Sequence, residues 1–275
     1  MRERAISAAV LVPVLLLILA IGGPVLGAAV ALATALAALE VFRLLRAAGY
    51  ATFSALGTAL ALVVVLDAAF PQVLEGSGLL LGAVGIVLIA VASFSRPDPH
   101  DGLSIWMATT FGALYVSLLS FVVRLGHAAP GLPTDAPLHW LGPERSWILL
   151  LVLAVWAYDT GAYVVGRNLG RTRFLTHISP SKTVEGVLGG ALATTIVVGL
   201  MLVAVGQNPL HAVALGPLAA LAAQTGDLAE SVLKRAAGAR ESGTLIPGHG
   251  GVLDRVDSFL FAAPVATLYV LALIR

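Results

Sequence analysis

The chain has 275 residues, of which 59% are hydrophobic and 11% are charged, and its mean hydropathy is +0.96. Soluble domains usually carry about 25% charged residues, so this composition excludes an ordinary soluble domain and predicts an integral membrane protein. The chain contains no cysteine, which excludes disulfides, thiolate metal sites and cysteine nucleophiles. The formal net charge of +1 indicates little by itself, and no nucleic-acid partner is predicted.

Nine apolar segments are long enough, or nearly long enough, to cross a hydrocarbon core, which needs about 20 helical residues. In chain order they are 5–22, 25–45, 54–70, 78–94, 104–124, 146–166, 186–206, 210–234 and 256–274. The first segment is interpreted as a retained anchor and not a cleaved signal peptide, because a second apolar run follows directly. The pattern predicts an all-α integral membrane protein with about nine transmembrane helices.

These helices are predicted to form one polytopic membrane domain over residues 1–275. Residues 1–145 would supply about five N-terminal helices, and residues 146–275 would supply the catalytic helices and their cytoplasmic loops. Small residues are frequent in the apolar segments, and they permit close packing of helices in a bilayer. The same small-residue faces suggest a homodimer.

The distribution of lysine and arginine predicts the orientation of the chain. With a cytoplasmic N-terminus, three of the 16 lysines and arginines fall outside, namely Arg124, Arg145 and Arg275, in agreement with the positive-inside rule. This orientation puts two polar loops, 167–182 and 238–257, on the cytoplasmic side, where nucleotides and Mg²⁺ are found. We therefore predict a protein of the cell membrane whose two polar loops face the cytoplasm.

The stretch 224–257 combines groups that bind phosphate and metal. Four polar side chains are spaced i, i+3, i+4 and i+7, so they share one helix face at membrane depth: Asp227, Glu230, Ser231 and Lys234. A glycine-rich loop follows, and glycine lets backbone N–H groups approach a phosphate closely. Asp227 and Asp254 flank this loop with the oxygen ligands that Mg²⁺ prefers. The pattern predicts a phosphate and metal site.

A second polar stretch, 156–190, carries further candidates. Asp159 and Tyr163 share a face of the sixth predicted helix, and a carboxylate at that depth needs a cation, a basic partner or a metal. An ion pair with an arginine of the same loop is the structural alternative for Asp159.

The start of the seventh predicted helix offers an anion site. Ser179 is predicted as its N-cap and Pro180 as its first residue, with Lys182 in the opening turns, and such a helix N-terminus attracts phosphate. Glu185 would pair with Lys182, help to hold metal or orient the loop. Ordinary helix capping without any ligand remains the alternative for Ser179.

The two polar stretches resemble the motifs of one enzyme family, the phosphatidate cytidylyltransferases, also called CDP-diacylglycerol synthases. The downstream motif reads Ser231-x-Leu233-Lys234-Arg235, then Gly243, then Pro247-x-His249-Gly250-Gly251-Val252-x-Asp254-Arg255-Val256-Asp257. The upstream motif includes Asp159, Gly161, Ala162, Tyr163, Gly166, Gly170, Ser179, Pro180, Lys182, Thr183, Glu185 and Gly186. Glu40, Gly112 and Tyr115 extend the likeness over most of the chain.

This resemblance implies transfer of CMP from CTP to phosphatidate, giving CDP-diacylglycerol and pyrophosphate in phospholipid biosynthesis with the help of Mg²⁺. The expected catalytic residues are Asp227, Asp254, Lys182, Lys234, Arg235 and His249, and the expected substrate-binding residues are Ser179, Ser231, Arg255, Gly250, Gly251, Tyr163 and Asp159. The expected metal ligands are Asp227, Asp254 and Asp257. They would hold one or two Mg²⁺ ions, and a monovalent cation is a further candidate. CTP, phosphatidate and the bilayer are the expected partners, and the resemblance also implies a polar cavity open to the cytoplasm.

Two alternative functions stay open at the level of sequence. A CTP-dependent polyprenol or lipid kinase would use similar substrates but release CDP and not pyrophosphate. An ion-coupled membrane transporter would use Asp159 and Asp227 along an ion path. It predicts inverted repeats with broken helices, which the sequence does not show, and it leaves the glycine-rich loop unexplained.

Overall fold

The computed structural model describes residues 2–74 and 77–274, and every regular element in these ranges is helical. The α-helices are α1 (Arg2–Ile21), α2 (Gly23–Ala47), α3 (Ser54–Ala69), α4 (Pro71–Leu74), α5 (Gly78–Ser93), α6 (Pro99–Ser117), α7 (Ser120–Ala128), α8 (Pro143–Leu169), α9 (Val184–Ala204), α10 (Ala212–Ala236) and α11 (Leu253–Tyr269). Arg275, used above to predict the orientation, lies outside the described residues.

Six helical stretches in the described ranges are long and apolar enough to cross a membrane. They are Gly23–Ala47, Pro99–Ala128, Pro143–Leu169, Val184–Ala204, Pro209–Ala236 and Leu253–Ile274. Three shorter apolar helices cover Ala9–Ile21, Ser54–Ala69 and Leu80–Ser93. The prediction of an all-helical integral membrane protein is confirmed. The count of nine crossings stays a prediction, because six of the nine predicted segments correspond to these long apolar stretches.

The chain divides into two compact units. The first unit contains Met1–Val123 and Val232–Val256, and the second contains Arg124–Ser231 and Asp257–Arg275. Helices α10 and α11 therefore each contribute residues to both units. The predicted single domain, with its division at residue 145, stays a prediction.

In the first unit, α2 packs against α1, α3 and α6, and α3 also packs against α5 and α6. The fully buried ring of Phe42 on α2 lies where two glycines leave room for it. A Cβ atom added at Gly112 of α6 would lie 2.6 Å from this ring, and one added at Gly57 of α3 would also collide with it. Small residues therefore permit the close helix approach, as expected where no hydrophobic force drives association within a bilayer.

In the second unit, α8 packs closely along α9. A Cβ added at Gly161 would lie 2.7 Å from the Cβ of Ala193, and one added at Gly190 would lie 2.7 Å from the ring of Tyr158. Between these contacts, Thr194 Oγ1 donates a hydrogen bond to the Ala154 carbonyl at 3.2 Å. The glycines of α9 thus bring it near α8, which carries Asp159.

We expect Gly190→Ala to lower the free energy of unfolding by about 1–3 kcal/mol, because the added methyl group would overlap the buried ring of Tyr158. The matched control is Gly199→Ala on the same helix, where the nearest atom to an added Cβ would be 3.5 Å away. That change should be neutral or stabilise the helix by up to about 1 kcal/mol. Thermal melting of both variants in detergent checks the prediction, and equal melting temperatures would contradict it.

Candidate active site

The loop between α10 and α11 folds into a compact turn within the first unit. Ile246 and Gly250 form a β-bridge, in which the Ile246 N–H donates to the Gly250 carbonyl at 2.9 Å. Gly248 and Gly250 adopt φ angles of 74° and 81°, in a region that side-chain-bearing residues rarely occupy. The glycines therefore let the loop turn back and enter α11 at Leu253.

Asp254, in the first turn of α11, is surrounded by hydrogen-bond donors. Its Oδ1 accepts from Lys234 Nζ at 2.7 Å, and both side chains of this ion pair are largely buried. Its Oδ2 accepts from the Ser242 N–H at 2.9 Å, the Ser242 hydroxyl at 2.8 Å and the Gly251 N–H at 2.8 Å. The Gly251 N–H thus donates to Asp254 in this structure, and its predicted phosphate contact stays a prediction.

Asp254 also borders an open pocket of about 280 Å³. The other lining residues are Glu241, Gly248, His249 and Arg255. Nδ1 of His249 is buried and has no hydrogen-bond partner among the described residues. Buried polar atoms usually have a partner, so the unsatisfied nitrogen marks His249 as a candidate functional residue of this pocket.

Glu40 is a second carboxylate at this loop, and the sequence analysis did not place it among the site residues. It projects from α2, is only 8% exposed, and accepts hydrogen bonds from the Val252 and Leu253 N–H groups at 3.0 and 2.8 Å. The Ser242 hydroxyl lies 2.9 Å from its Oε2. The available signal was a carboxylate near the end of a largely apolar helix, which can mark a functional or paired group.

A carboxylate cluster forms in the second unit from Asp227 and Glu230 of α10 and Asp257 of α11. One oxygen atom of each side chain lies within 4.8 Å of the others, and Glu230 is completely buried. Gly226 permits this approach, because a Cβ there would collide with the backbone carbonyl oxygen of Asp257. Three carboxylates at such distances repel each other unless a cation or protons compensate them. Their hard oxygen donors fit a divalent ion such as Mg²⁺.

Lys182 supplies positive charge beside this cluster. Its Nζ forms an ion pair with Asp227 and lies 3.4 Å from Gln224 Oε1. Gln224 is 4% exposed and also accepts a hydrogen bond from the hydroxyl of the buried Tyr158. The side chains of Lys182 and Asp227 remain 23% and 27% exposed, so the pair is accessible to a ligand.

Helix α9 begins at Val184, and the prediction that Ser179 and Pro180 start it was wrong. The N-cap is Thr183, whose Oγ1 accepts from the Gly186 N–H at 3.1 Å. The residues before it pair locally, because a β-bridge joins Arg173 to Thr183. This pairing keeps Ser179 in a turn that precedes the helix.

The predicted pairing of Glu185 with Lys182 was also wrong. The Glu185 carboxylate accepts hydrogen bonds from the backbone N–H groups of Arg171 at 3.0 Å and Thr172 at 3.1 Å. Lys182 is instead directed to Asp227. Glu185 therefore holds the loop between α8 and α9, which agrees with the alternative role predicted for it.

Two other predicted site residues make local contacts. Arg167 donates to the hydroxyl of the exposed Tyr163 at 2.8 Å, and Arg235 donates to the Ala239 carbonyl at 3.2 Å beyond the end of α10. Asp159 and Arg255 are exposed, whereas Ser231 is buried. Their substrate contacts stay predictions.

The predicted metal ligands fall into different surroundings. Asp227 and Asp257 belong to the carboxylate cluster, together with Glu230, which the prediction omitted although it shares the predicted helix face. Asp254 belongs to the hydrogen-bonded loop of the first unit, and its role as a metal ligand stays a prediction.

Comparisons with known proteins agree with the family resemblance of the two motifs. The family model described as the cytidylyltransferase family matches residues 2–273. A phosphatidate cytidylyltransferase of Synechocystis sp. is 36% identical over 290 residues, which cover 99% of this chain and 97% of the relative. The chloroplastic phosphatidate cytidylyltransferase 4 of Arabidopsis thaliana is 43% identical over 178 residues, covering 59% of this chain and 45% of that protein. A Staphylococcus aureus phosphatidate cytidylyltransferase is 44% identical over 124 residues, covering 44% and 48%.

Thr183→Ala should lower the free energy of unfolding by about 1 kcal/mol, because the first turn of α9 loses its capping oxygen. Ser179→Ala is the matched control, since its side chain does not cap the helix that begins at Val184. Thermal melting of the two variants compares them directly. A larger effect of Ser179→Ala would favour the N-cap predicted from sequence over the one in the structure.

Proposed function

Because this chain belongs to the cytidylyltransferase family, we propose that it transfers the CMP group of CTP to phosphatidate, forming CDP-diacylglycerol and pyrophosphate. The protein is a nucleotidyltransferase enzyme embedded in a membrane. The observation that carries the proposal is the relative named for this activity, which matches over nearly the full length of both chains. Two polar clusters inside an otherwise apolar chain support it.

The proposed reaction is a displacement at phosphorus. A phosphate oxygen of phosphatidate forms a bond to the α-phosphorus of CTP. The bond between the α-phosphorus and the oxygen that bridges the α- and β-phosphates breaks. Pyrophosphate leaves with that electron pair. The attacking phosphate is already anionic, so no strong base is needed. The protein must position the two anionic substrates and neutralise their charge.

The carboxylate cluster supports the Mg²⁺ ion that the proposal assigns to this reaction. Asp227, Glu230 and Asp257 would hold the ion through carboxylate oxygens, and their close approach supports this assignment. Asp254 is a further proposed ligand, for a second ion. Bound Mg²⁺ would neutralise negative charge on the α-phosphate and on the leaving pyrophosphate. A monovalent cation beside it is part of the same proposal.

Basic side chains would bind the remaining phosphate charge. Lys182 is partly exposed, so its ammonium group can donate to phosphate oxygens while it stays close to Asp227. Lys234 holds Asp254 in place through their 2.7 Å ion pair. Arg255 and His249 line the pocket beside Asp254, where a cation and a ring nitrogen would contact phosphate oxygens. Arg235 is a further proposed contact.

The hydrogen-bonding residues of the proposal contact the substrates by donating to phosphate or sugar oxygens. The donors are Ser179, Ser231, Tyr163 and the Gly250 N–H group. Asp159 would instead accept a hydrogen bond from a substrate. Ser179 lies directly before the segment that carries Lys182, which supports a shared role in binding phosphate.

The proposal extends to topology and location. Nine crossings, a cytoplasmic N-terminus and a cavity open to the cytoplasm of the cell would give CTP direct access while phosphatidate stays in the bilayer. The excess of lysine and arginine in the loops assigned to the inner side supports this orientation. A homodimer is part of the proposal on the basis of the small-residue helix faces.

The activity is tested with purified protein in detergent, supplied with CTP, Mg²⁺ and phosphatidate. We expect pyrophosphate and CDP-diacylglycerol in equal amounts, and no release when the lipid is omitted or EDTA is added. Release of CDP without pyrophosphate would favour the lipid kinase. The absence of any nucleotide chemistry from folded protein would reopen the transporter alternative.

Variants of single carboxylates test the metal assignment. Glu230→Gln and Asp257→Asn each remove one charge from the cluster, so the Mg²⁺ affinity should fall about 10-fold or more. Asp254→Asn should lower kcat about 100-fold or more while the protein still inserts. The measurements are Mn²⁺ binding by electron paramagnetic resonance and turnover against Mg²⁺ concentration. Asp101→Asn, an exposed carboxylate in the first turn of α6, is the control. Wild-type Mn²⁺ affinity in both cluster variants would contradict the assignment.

A further inference from the structure

The N-terminal end of α11 is held by a side chain that is distant in sequence. The Glu40 carboxylate on α2 accepts from the Val252 N–H through Oε1 at 3.0 Å and from the Leu253 N–H through Oε2 at 2.8 Å. The first N–H groups of a helix have no partner within it, so they need an external acceptor. Glu40 supplies that acceptor from a buried position.

Two glycines of the loop make room for this carboxylate. A Cβ added at Gly251 would collide with Glu40 Oε2 and with Ser242 Oγ, and a Cβ added at Gly243 would collide with Glu40 Oε1. Any other residue at either position would have to displace Glu40 or the loop. Gly243 and Gly251 therefore make room for Glu40, whereas Gly248 and Gly250 allow the turn.

Ser242 connects Glu40 to Asp254. Its hydroxyl oxygen lies 2.9 Å from Glu40 Oε2 and 2.8 Å from Asp254 Oδ2, and it accepts from the Asp254 N–H at 3.3 Å. A hydroxyl has one proton, so it donates to one of these carboxylates at a time. Arg43, on the same helix as Glu40, donates to the Ser242 carbonyl. A change at Glu40 is thus transmitted to Asp254 through a single shared residue.

We propose that Glu40 is a positioning residue for the cytidylyl transfer, which fixes Ser242 and the first turn of α11 so that the Asp254 carboxylate keeps its place beside Lys234. This inference rests on the proposed function for its catalytic consequence. Glu40 is not proposed to contact either substrate, because its two oxygens are occupied by the loop and by the helix end.

The test uses the full-length enzyme with Glu40→Gln, which keeps the size of the side chain but replaces one acceptor oxygen by an NH₂ donor. We expect kcat to fall about 10- to 100-fold, since a shift of about 1 Å in a reacting group costs this much. The KM for CTP should change less than kcat, because the substrate contacts themselves remain. Gly251→Ala, which displaces the same carboxylate while leaving it in the chain, should show the same pattern.

Hydrogen exchange gives a readout that does not depend on the reaction. Amide exchange in the 242–253 segment should be faster in Glu40→Gln than in the wild type, because either the Val252 or the Leu253 N–H group loses its acceptor oxygen and faces an NH₂ group instead. The control is Asp101→Asn, also in the first unit, which should show the exchange and kcat of the wild type. Thermal melting measures the folded fraction at the assay temperature.

The proposal is overturned if Glu40→Gln has the same kcat as the Asp101→Asn control. It is equally overturned if the two variants have the same amide hydrogen exchange in the 242–253 segment. It is also overturned if the fraction of activity lost equals the fraction of protein that is unfolded at the assay temperature, because kcat per folded molecule is then unchanged. If the wild type forms no CDP-diacylglycerol, the proposed function fails. The exchange comparison then still decides whether Glu40 holds the loop.

Discussion

Carboxylates within apolar helices are costly, so each one requires a cation, a proton or several hydrogen-bond donors nearby. Asp254 meets this requirement with Lys234, the Ser242 N–H group and the Gly251 N–H group. Glu40 meets it with the Ser242 hydroxyl and the first N–H groups of α11. These obligatory contacts determine how the glycine-rich loop folds.

The carboxylate cluster of the second unit brings three acidic side chains close together. Lys182 compensates Asp227, but the oxygens of Asp227, Glu230 and Asp257 still lie within 4.8 Å of one another. A cluster of like charges in a largely apolar protein favours the binding of a cation. This electrostatic property, and not the helical fold itself, supports the proposed use of Mg²⁺ in a reaction between two anionic substrates.

Glycine and other small residues enable both arrangements by removing steric barriers. Gly226 lets α10 approach the backbone of Asp257, and Gly243 and Gly251 leave the volume that Glu40 occupies. Gly190 similarly lets α9 approach Tyr158, whose hydroxyl reaches Gln224. Gly243 and Gly251, whose loop was predicted from the sequence to bind phosphate, thus permit close packing around Glu40.

The sequence by itself determined the helical membrane fold, because long apolar runs have few other stable conformations in a bilayer. It also identified Asp227, Asp254 and Asp257, because charged residues within apolar segments are conspicuous, and its motifs pointed to the family. Only the tertiary structure decided that Glu230 joins Asp227 and Asp257, that Glu40 reaches the loop from α2, and that Thr183 and not Ser179 caps α9. Those features depend on contacts between residues that are distant along the chain or on pairing of a loop with itself. Spacing and local propensity describe neighbours on one helix, so they cannot specify which side chains of different segments meet.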